Sequence, residues 1–142
     1  MNIKDYIWEQ FDYVVAYDYE YSQTPGNNPD PVCVTYKDLK TGKITQQWLL
    51  NRKQKSLFPV ASTLFICHYA VAEVSCDIVR GITKPTFIFD SFVEEKKMLN
   101  GKIKVGFGLL DTCERYNIKG VMSEAHKTLW RDTIINNFPD YS

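Results

Sequence analysis

Two acidic residues follow an apolar run near the start of the chain. Residues 13–17 (YVVAY) are aromatic and β-branched, which predicts a central strand covered on both faces. Asp18 and Glu20 come next, and side chains two residues apart on a strand point to the same face. Two neighbouring carboxylates need a cation or a proton, and hard divalent ions prefer such oxygen ligands. The pair therefore indicates a Mg²⁺ or Mn²⁺ site, with two solvated acids at a strand end as the alternative.

A second pair of acids follows another apolar run, residues 63–67 (TLFIC), which reads as a buried strand. A helix over residues 70–79, ended by Gly81, would carry Glu73 and Asp77 four residues apart on one face. If the two strands are neighbours, either acid reaches the end of the first strand. Otherwise both acids lie on the solvent face of the helix.

Five further residues are candidates for the site, and each also has an ordinary structural explanation. Asp90, after a short predicted strand, is either an additional metal-site acid or the cap of the next helix. His68 either contacts substrate or makes local hydrogen bonds. Three aromatic residues near the acids either stack on nucleic-acid bases or belong to the core: Tyr19, Tyr21 and Tyr69.

The elements that must position these residues alternate between strands and helices. Residues 22–31, rich in proline, glycine and asparagine, read as a loop. The remaining predictions are a hairpin of strands 32–36 and 44–50, a strand over 87–89, a helix capped by Ser91 with Glu94, a glycine-rich loop over 100–108, and helices over 109–116 and 123–137. The 142 residues thus predict a single α/β domain with a mixed sheet flanked by helices.

Composition restricts the partners. The 17 basic and 17 acidic residues cancel, which disfavours a simple electrostatic nucleic-acid binder but permits an enzyme that touches DNA locally. A small basic cluster, Arg52, Lys53 and Lys55, either meets phosphates or forms a solvated loop. The four cysteines contain no CxxC pair, which favours reduced thiols over a zinc site. No signal region or membrane-length apolar run is present, so we expect a cytoplasmic protein with no membrane partner.

Three segments resemble the 3′–5′ exonuclease domain of family-A DNA polymerases, especially the phage and plasmid types. That domain belongs to the DEDD exonucleases, which have an RNase H-like fold. The segment VVAYDYEY (residues 14–21) is similar to the first exonuclease motif, and TLFICHYAVAEVSCDIVRG (63–81) is similar to the second. Residues 85–118 resemble the stretch that follows the second motif, and the predicted hairpin resembles the early hairpin of the same group.

The resemblance implies a two-metal enzyme that removes nucleotides from the 3′ end of single-stranded DNA. Asp18 and Glu20 would be metal ligands, and Glu73 would hold or orient the second of two Mg²⁺ or Mn²⁺ ions. The partner would be a polymerase domain of the same or another chain. A phage-encoded protein of this kind would act in the host cytoplasm.

The third motif of the family is not recognised. It has a Tyr or His, three or four residues, and then Asp, whereas His126 and Asp132 are separated by five. We therefore expect the chain to be truncated, with the fourth acid after Ser142, and to be weak or inactive by itself. The alternative is a catalytically inactive RNase H-like module that binds a partner, such as a phage-encoded inhibitor or assembly fragment.

Overall fold

A computed structural model describes residues 2–49, 56–102 and 106–137. The predicted basic cluster of Arg52, Lys53 and Lys55 lies outside these residues. The five strands are β1 (Tyr13–Ser22), β2 (Asp30–Asp38), β3 (Ile44–Trp48), β4 (Thr63–Cys67) and β5 (Phe87–Asp90). The five helices are α1 (Ile3–Gln10), α2 (Ala70–Val79), α3 (Ser91–Leu99), α4 (Leu109–Arg115) and α5 (Glu124–Asn137).

The strands form one sheet in the order β3-β2-β1-β4-β5, with β1 at its centre. β1 and β3 are antiparallel to β2, while β4 runs parallel to both β1 and β5. Residues 13–16 of β1 pair with residues 63–66 of β4, so the two buried runs of the sequence are neighbours. This arrangement confirms the predicted mixed α/β sheet.

The core lies on the face of the sheet that α2 covers. Because side chains alternate along a strand, Val15, Tyr17 and Tyr19 share that face of β1. They form one cluster with buried residues of the neighbouring strands and of α2: Val34, Tyr36, Leu49, Phe65, Cys67 and Cys76. Alternation then directs Asp18 and Glu20 to the opposite face, where α5 contacts β1.

Three local predictions are corrected. β1 continues to Ser22, so the connecting loop covers only residues 23–29. The polar and apolar residues of the N-terminal segment form α1, which the sequence analysis did not predict. The cap of α3 is Asp90 and not Ser91, because the Asp90 carboxylate accepts hydrogen bonds from the backbone N–H groups of Phe92 and Val93.

Two other observations concern the cysteines and the length and apolar character of the helices. All four cysteines are free thiols; Cys67, Cys76 and Cys113 are buried and Cys33 is half-buried. Within the described ranges, no helix has the length and apolar character needed to cross a membrane.

Candidate active site

Both acids of the first predicted pair and one acid of the second, Glu73, line a cleft beside the end of β1. The cleft has a volume of ≈ 450 Å³. One wall comes from β1 and α2, and the other comes from α5. Its polar and charged lining residues include Asp18, Glu20, Gln23, Glu73, Lys127, Arg131 and Asp132. The structure thus brings together the three residues that the sequence analysis proposed as metal ligands.

Asp18 and Glu20 face two basic residues of α5. Asp18 reaches solvent through the cleft, but the surrounding protein removes hydration and raises the pKa of its carboxyl, an effect that Lys127 opposes. Burial, followed by repulsion from Asp18, raises the pKa of Glu20, and Arg131 and Lys127 lower it. For both acids, the effect of burial on the carboxyl pKa therefore outweighs that of the basic residues of α5.

Glu73 lies beside the part of β1 that no longer pairs with β4. β4 pairs with β1 only as far as Ala16, and the chain then turns into α2. The Glu73 carboxylate accepts a hydrogen bond from the backbone N–H of Tyr19 at 2.9 Å, on the strand segment past this pairing. Glu73 is only 4% exposed. Burial, with added repulsion from Asp18, raises its pKa to about 8.

Asp77, one turn further along α2, has a different role. It is buried, and its carboxylate accepts hydrogen bonds from the hydroxyls of Tyr19 at 2.6 Å and Tyr17 at 3.4 Å. The alternative that Glu73 and Asp77 lie on the solvent face of the helix is therefore wrong. Asp77 is directed at the tyrosines of the core and does not line the cleft with the other acids.

The aromatic candidates divide into one core residue and two groove residues. Tyr19 is 3% exposed and belongs to the core cluster, which supports the core alternative over stacking on a base. Tyr21 and Tyr69 line a neighbouring pocket of ≈ 150 Å³, together with Pro29 and Ala72. Tyr69 is 48% exposed, and its ring packs edge-on against Phe92. Their binding to substrate stays a prediction.

Asp90 and His68 are engaged by the protein itself. The Asp90 carboxylate also accepts hydrogen bonds from the backbone N–H groups of Tyr69 at 3.0 Å and Ala70 at 2.8 Å. The two ring nitrogens of His68 contact Ser91 Oγ at 2.9 Å and the Phe107 carbonyl oxygen at 2.8 Å. These contacts support the structural alternative for both residues, because neither has polar atoms left to direct at the cleft.

Asp132 is the residue that the sequence analysis missed. Contrary to the expectation of a fourth acid after Ser142, α5 packs across β1 and sets Asp132 in the cleft with Asp18, Glu20 and Glu73. The signal was present in the run from Lys127 to Asp132, where three charged residues fall on adjacent positions of a helix. Whether this acid joins the cleft depends on which strand α5 crosses, and the sequence alone does not show that.

The donor set suits a hard divalent cation. Its candidate ligands are carboxylate oxygens, and two of these acids, Asp18 and Glu73, repel each other. In this conformation, no three His, Cys, Asp or Glu residues of the described part of the chain already converge on a metal position. The acids of the described residues thus match a divalent cation in donor type and charge, and not in their relative positions.

Comparisons with known proteins agree on the fold. No protein-family model matches the sequence, and no curated protein gives a significant match. The chain is similar to a solved structure described as "apo form of the nuclease", with a TM-score of 0.60 and 16% identity. The match covers 89% of this chain and 60% of that nuclease. At this identity the similarity bears on the fold alone, a mixed α/β sheet flanked by helices that is consistent with the RNase H-like kind.

Proposed function

We propose that this chain is a metal-dependent nuclease that removes nucleotides from the 3′ end of a DNA strand. The observation that carries the proposal is the cleft at the end of β1, where Asp18, Glu20 and Glu73 lie together with Asp132. Four carboxylates around one cleft suit two divalent ions, and an RNase H-like fold is compatible with nuclease chemistry. The chain spans 60% of the length of the nuclease that it resembles.

The four acids of the cleft have a part in the proposed reaction. When bound, two divalent ions would activate a water molecule and stabilise the leaving oxygen. Asp18, Glu20, Glu73 and Asp132 would hold these ions. The water oxygen would bond to phosphorus while the bond from phosphorus to the 3′ oxygen of the preceding nucleotide breaks. The released nucleotide would thus keep its 5′-phosphate.

The surroundings of the acids suit a single strand. Lys127 and Arg131 line the cleft beside Asp18, and such side chains position a backbone through its phosphates. Tyr21 and Tyr69 line the adjoining pocket, where a terminal base could stack without regard to its identity. Trimming of this kind would suit proofreading, so we also propose a DNA polymerase, in the same or another chain, as the partner.

The test is digestion of a single-stranded DNA oligonucleotide labelled at its 5′ end, with Mg²⁺ or Mn²⁺ present. We expect a ladder of shortened labelled products that disappears when EDTA is added. Asp18→Asn should lower the rate at least about 10³-fold, because metal ligation supplies several kcal/mol to the transition state. The matched control is Asp12→Asn, an exposed acid just before β1, which should digest DNA like the parent chain.

Two results would contradict the proposal. One is the absence of metal-dependent digestion by the parent chain, and DNA binding without digestion would then favour the inactive binding module. The other is digestion that Asp18→Asn leaves unchanged, which would place the activity elsewhere. An RNA oligonucleotide of the same sequence, run in parallel, shows which sugar the cleft prefers.

A further inference from the structure

The segment that carries Asp18 and Glu20 is supported by its sheet on one edge only, where it pairs with β2. β4 stops pairing with β1 at Ala16, two residues before Asp18. On the other edge, pairing with β2 becomes irregular directly after Glu20, where the register shifts between Glu20 and Tyr21. A strand held on one edge, next to a bulge, twists more easily than one held on both. Contacts from outside the sheet therefore matter on the edge that β4 leaves unpaired.

Tyr19, between the two acids, receives that support from α2. Its backbone N–H donates to Glu73, and its hydroxyl donates to Asp77 at 2.6 Å. The same hydroxyl accepts a hydrogen bond from the guanidinium of Arg80, which also lies 5.5 Å from the ring centroid. All four residues are buried. The residue in the middle of the Asp-Tyr-Glu segment is therefore held at both its backbone and its side chain.

The three residues that contact Tyr19 come from α2 and its C-terminal cap. Glu73, Asp77 and Arg80 follow one another at spacings of four and three residues, which places them on one stripe of a helix. A buried stripe of this kind is normally apolar, because burying charged groups is costly even when they are paired. Here the stripe is polar, and its Asp77 and Arg80 contact the tyrosines of β1.

We propose that Tyr19 is a positioning residue, anchored by Asp77 and Arg80, that sets Asp18 and Glu20 in the geometry that a metal ion requires. The inference rests on the proposed function. Asp18 and Glu20 are bonded neighbours of Tyr19 and point to the opposite face, so a change in the tilt of Tyr19 turns both carboxylates together. Contacts behind metal ligands orient those ligands and tune the affinity for the metal.

The test removes one oxygen atom from Tyr19. Tyr19→Phe deletes the contacts to Asp77 and Arg80 and leaves the backbone bond to Glu73 in place. The matched control is Tyr36→Phe, because the Tyr36 hydroxyl accepts from the same guanidinium of Arg80 at 3.4 Å, but its strand, β2, contributes no acid to the cleft. Both variants lose a buried hydroxyl of one polar network.

Three quantities are measured for each variant: Mn²⁺ affinity by electron paramagnetic resonance, DNA digestion as a function of Mg²⁺ concentration, and unfolding in urea. We expect both variants to be less stable than the parent chain. Only Tyr19→Phe should weaken Mn²⁺ binding, by about tenfold or more. Its digestion rate should recover at high Mg²⁺ concentration, which a general loss of folded protein would not produce.

The outcomes separate this inference from the proposed function. Equal Mn²⁺ affinity in Tyr19→Phe and the parent chain, with digestion intact, would overturn the positioning role and leave the nuclease proposal standing. Equal weakening in Tyr19→Phe and Tyr36→Phe would also overturn it, because the effect would then follow from a loosened core. A parent chain that neither binds Mn²⁺ nor digests DNA would overturn both.

Discussion

Two groups of acids lie at the carboxyl ends of strands in the same sheet, and the protein treats them in opposite ways. Asp90, at the end of β5, accepts hydrogen bonds from four backbone N–H groups. Although burial acts in the other direction, these bonds lower the pKa of Asp90. Glu73, beside the end of β1, accepts one backbone hydrogen bond, and burial and neighbouring acids raise its pKa to about 8.

The difference shows which acids the fold satisfies by itself. The charge of Asp90 is neutralised by donors of its own chain, where it joins the start of α2 to the start of α3. Around Asp18, Glu73 accepts one such bond against the four of Asp90, and its pKa is raised, so its charge favours a proton or a cation from outside. Raised carboxyl pKa values in a cleft are a common mark of functional sites, and here they coincide with the predicted metal ligands.

After Asp18, the largest effect is expected at Asp132, and it tests whether α5 contributes an acid to the cleft at β1. Asp132→Asn should lower the rate of DNA digestion about 100-fold, since it removes one carboxylate from the proposed two-metal cleft. The measurement is the rate on 5′-labelled DNA at saturating Mg²⁺. Glu124→Gln, an exposed acid at the start of the same helix, is the control and should keep the parent rate.

An unchanged rate in Asp132→Asn would contradict this assignment. The fourth ligand would then lie outside the described residues, as the sequence analysis expected.

The next effect concerns pH and is expected at Glu73. Because folding raises its carboxyl pKa from 4.5 to about 8, the folded chain binds more protons than the unfolded chain between these values. Without metal, the free energy of unfolding should therefore fall as pH rises from 5 to 8, by on the order of 3 kcal/mol. Glu73→Gln should flatten this fall, measured by urea unfolding in EDTA.

The control for this prediction is Glu9→Gln, an exposed acid of α1, which should keep the parent slope. Asp18 and Glu20 also have raised pKa values, so some slope should remain in Glu73→Gln. A parent chain that becomes more stable toward pH 8 would show that the acids at β1 are satisfied in the way that Asp90 is.

The two groups of acids also show which features of the site can be predicted from the sequence and which cannot. The period of two along β1 placed Asp18 and Glu20 on one face, and the two apolar runs predicted the neighbouring strands. These features depend on local patterns. The role of Asp132 depends on the crossing of α5 over β1, a long-range contact that no local pattern encodes. The burial of Tyr19 likewise depends on which face α2 covers.

The smallest effect is expected at Asp90, and its contribution to the free energy of unfolding changes with pH in the opposite direction to that of Glu73. Asp90→Asn should lower the free energy of unfolding at pH 7 by about 1–2 kcal/mol, because an amide is a weaker acceptor for four backbone donors. Since folding lowers the pKa of Asp90, its contribution is present at neutral pH and is lost as pH falls through the folded-state pKa. Urea unfolding at pH 7 and pH 3 measures both statements, and the variant and the parent chain should converge at the lower pH.

DNA digestion by Asp90→Asn should stay close to the parent rate at a temperature where both are folded. A large loss of digestion with unchanged stability would place Asp90 in the site, and the contrast between the two groups of acids would fail.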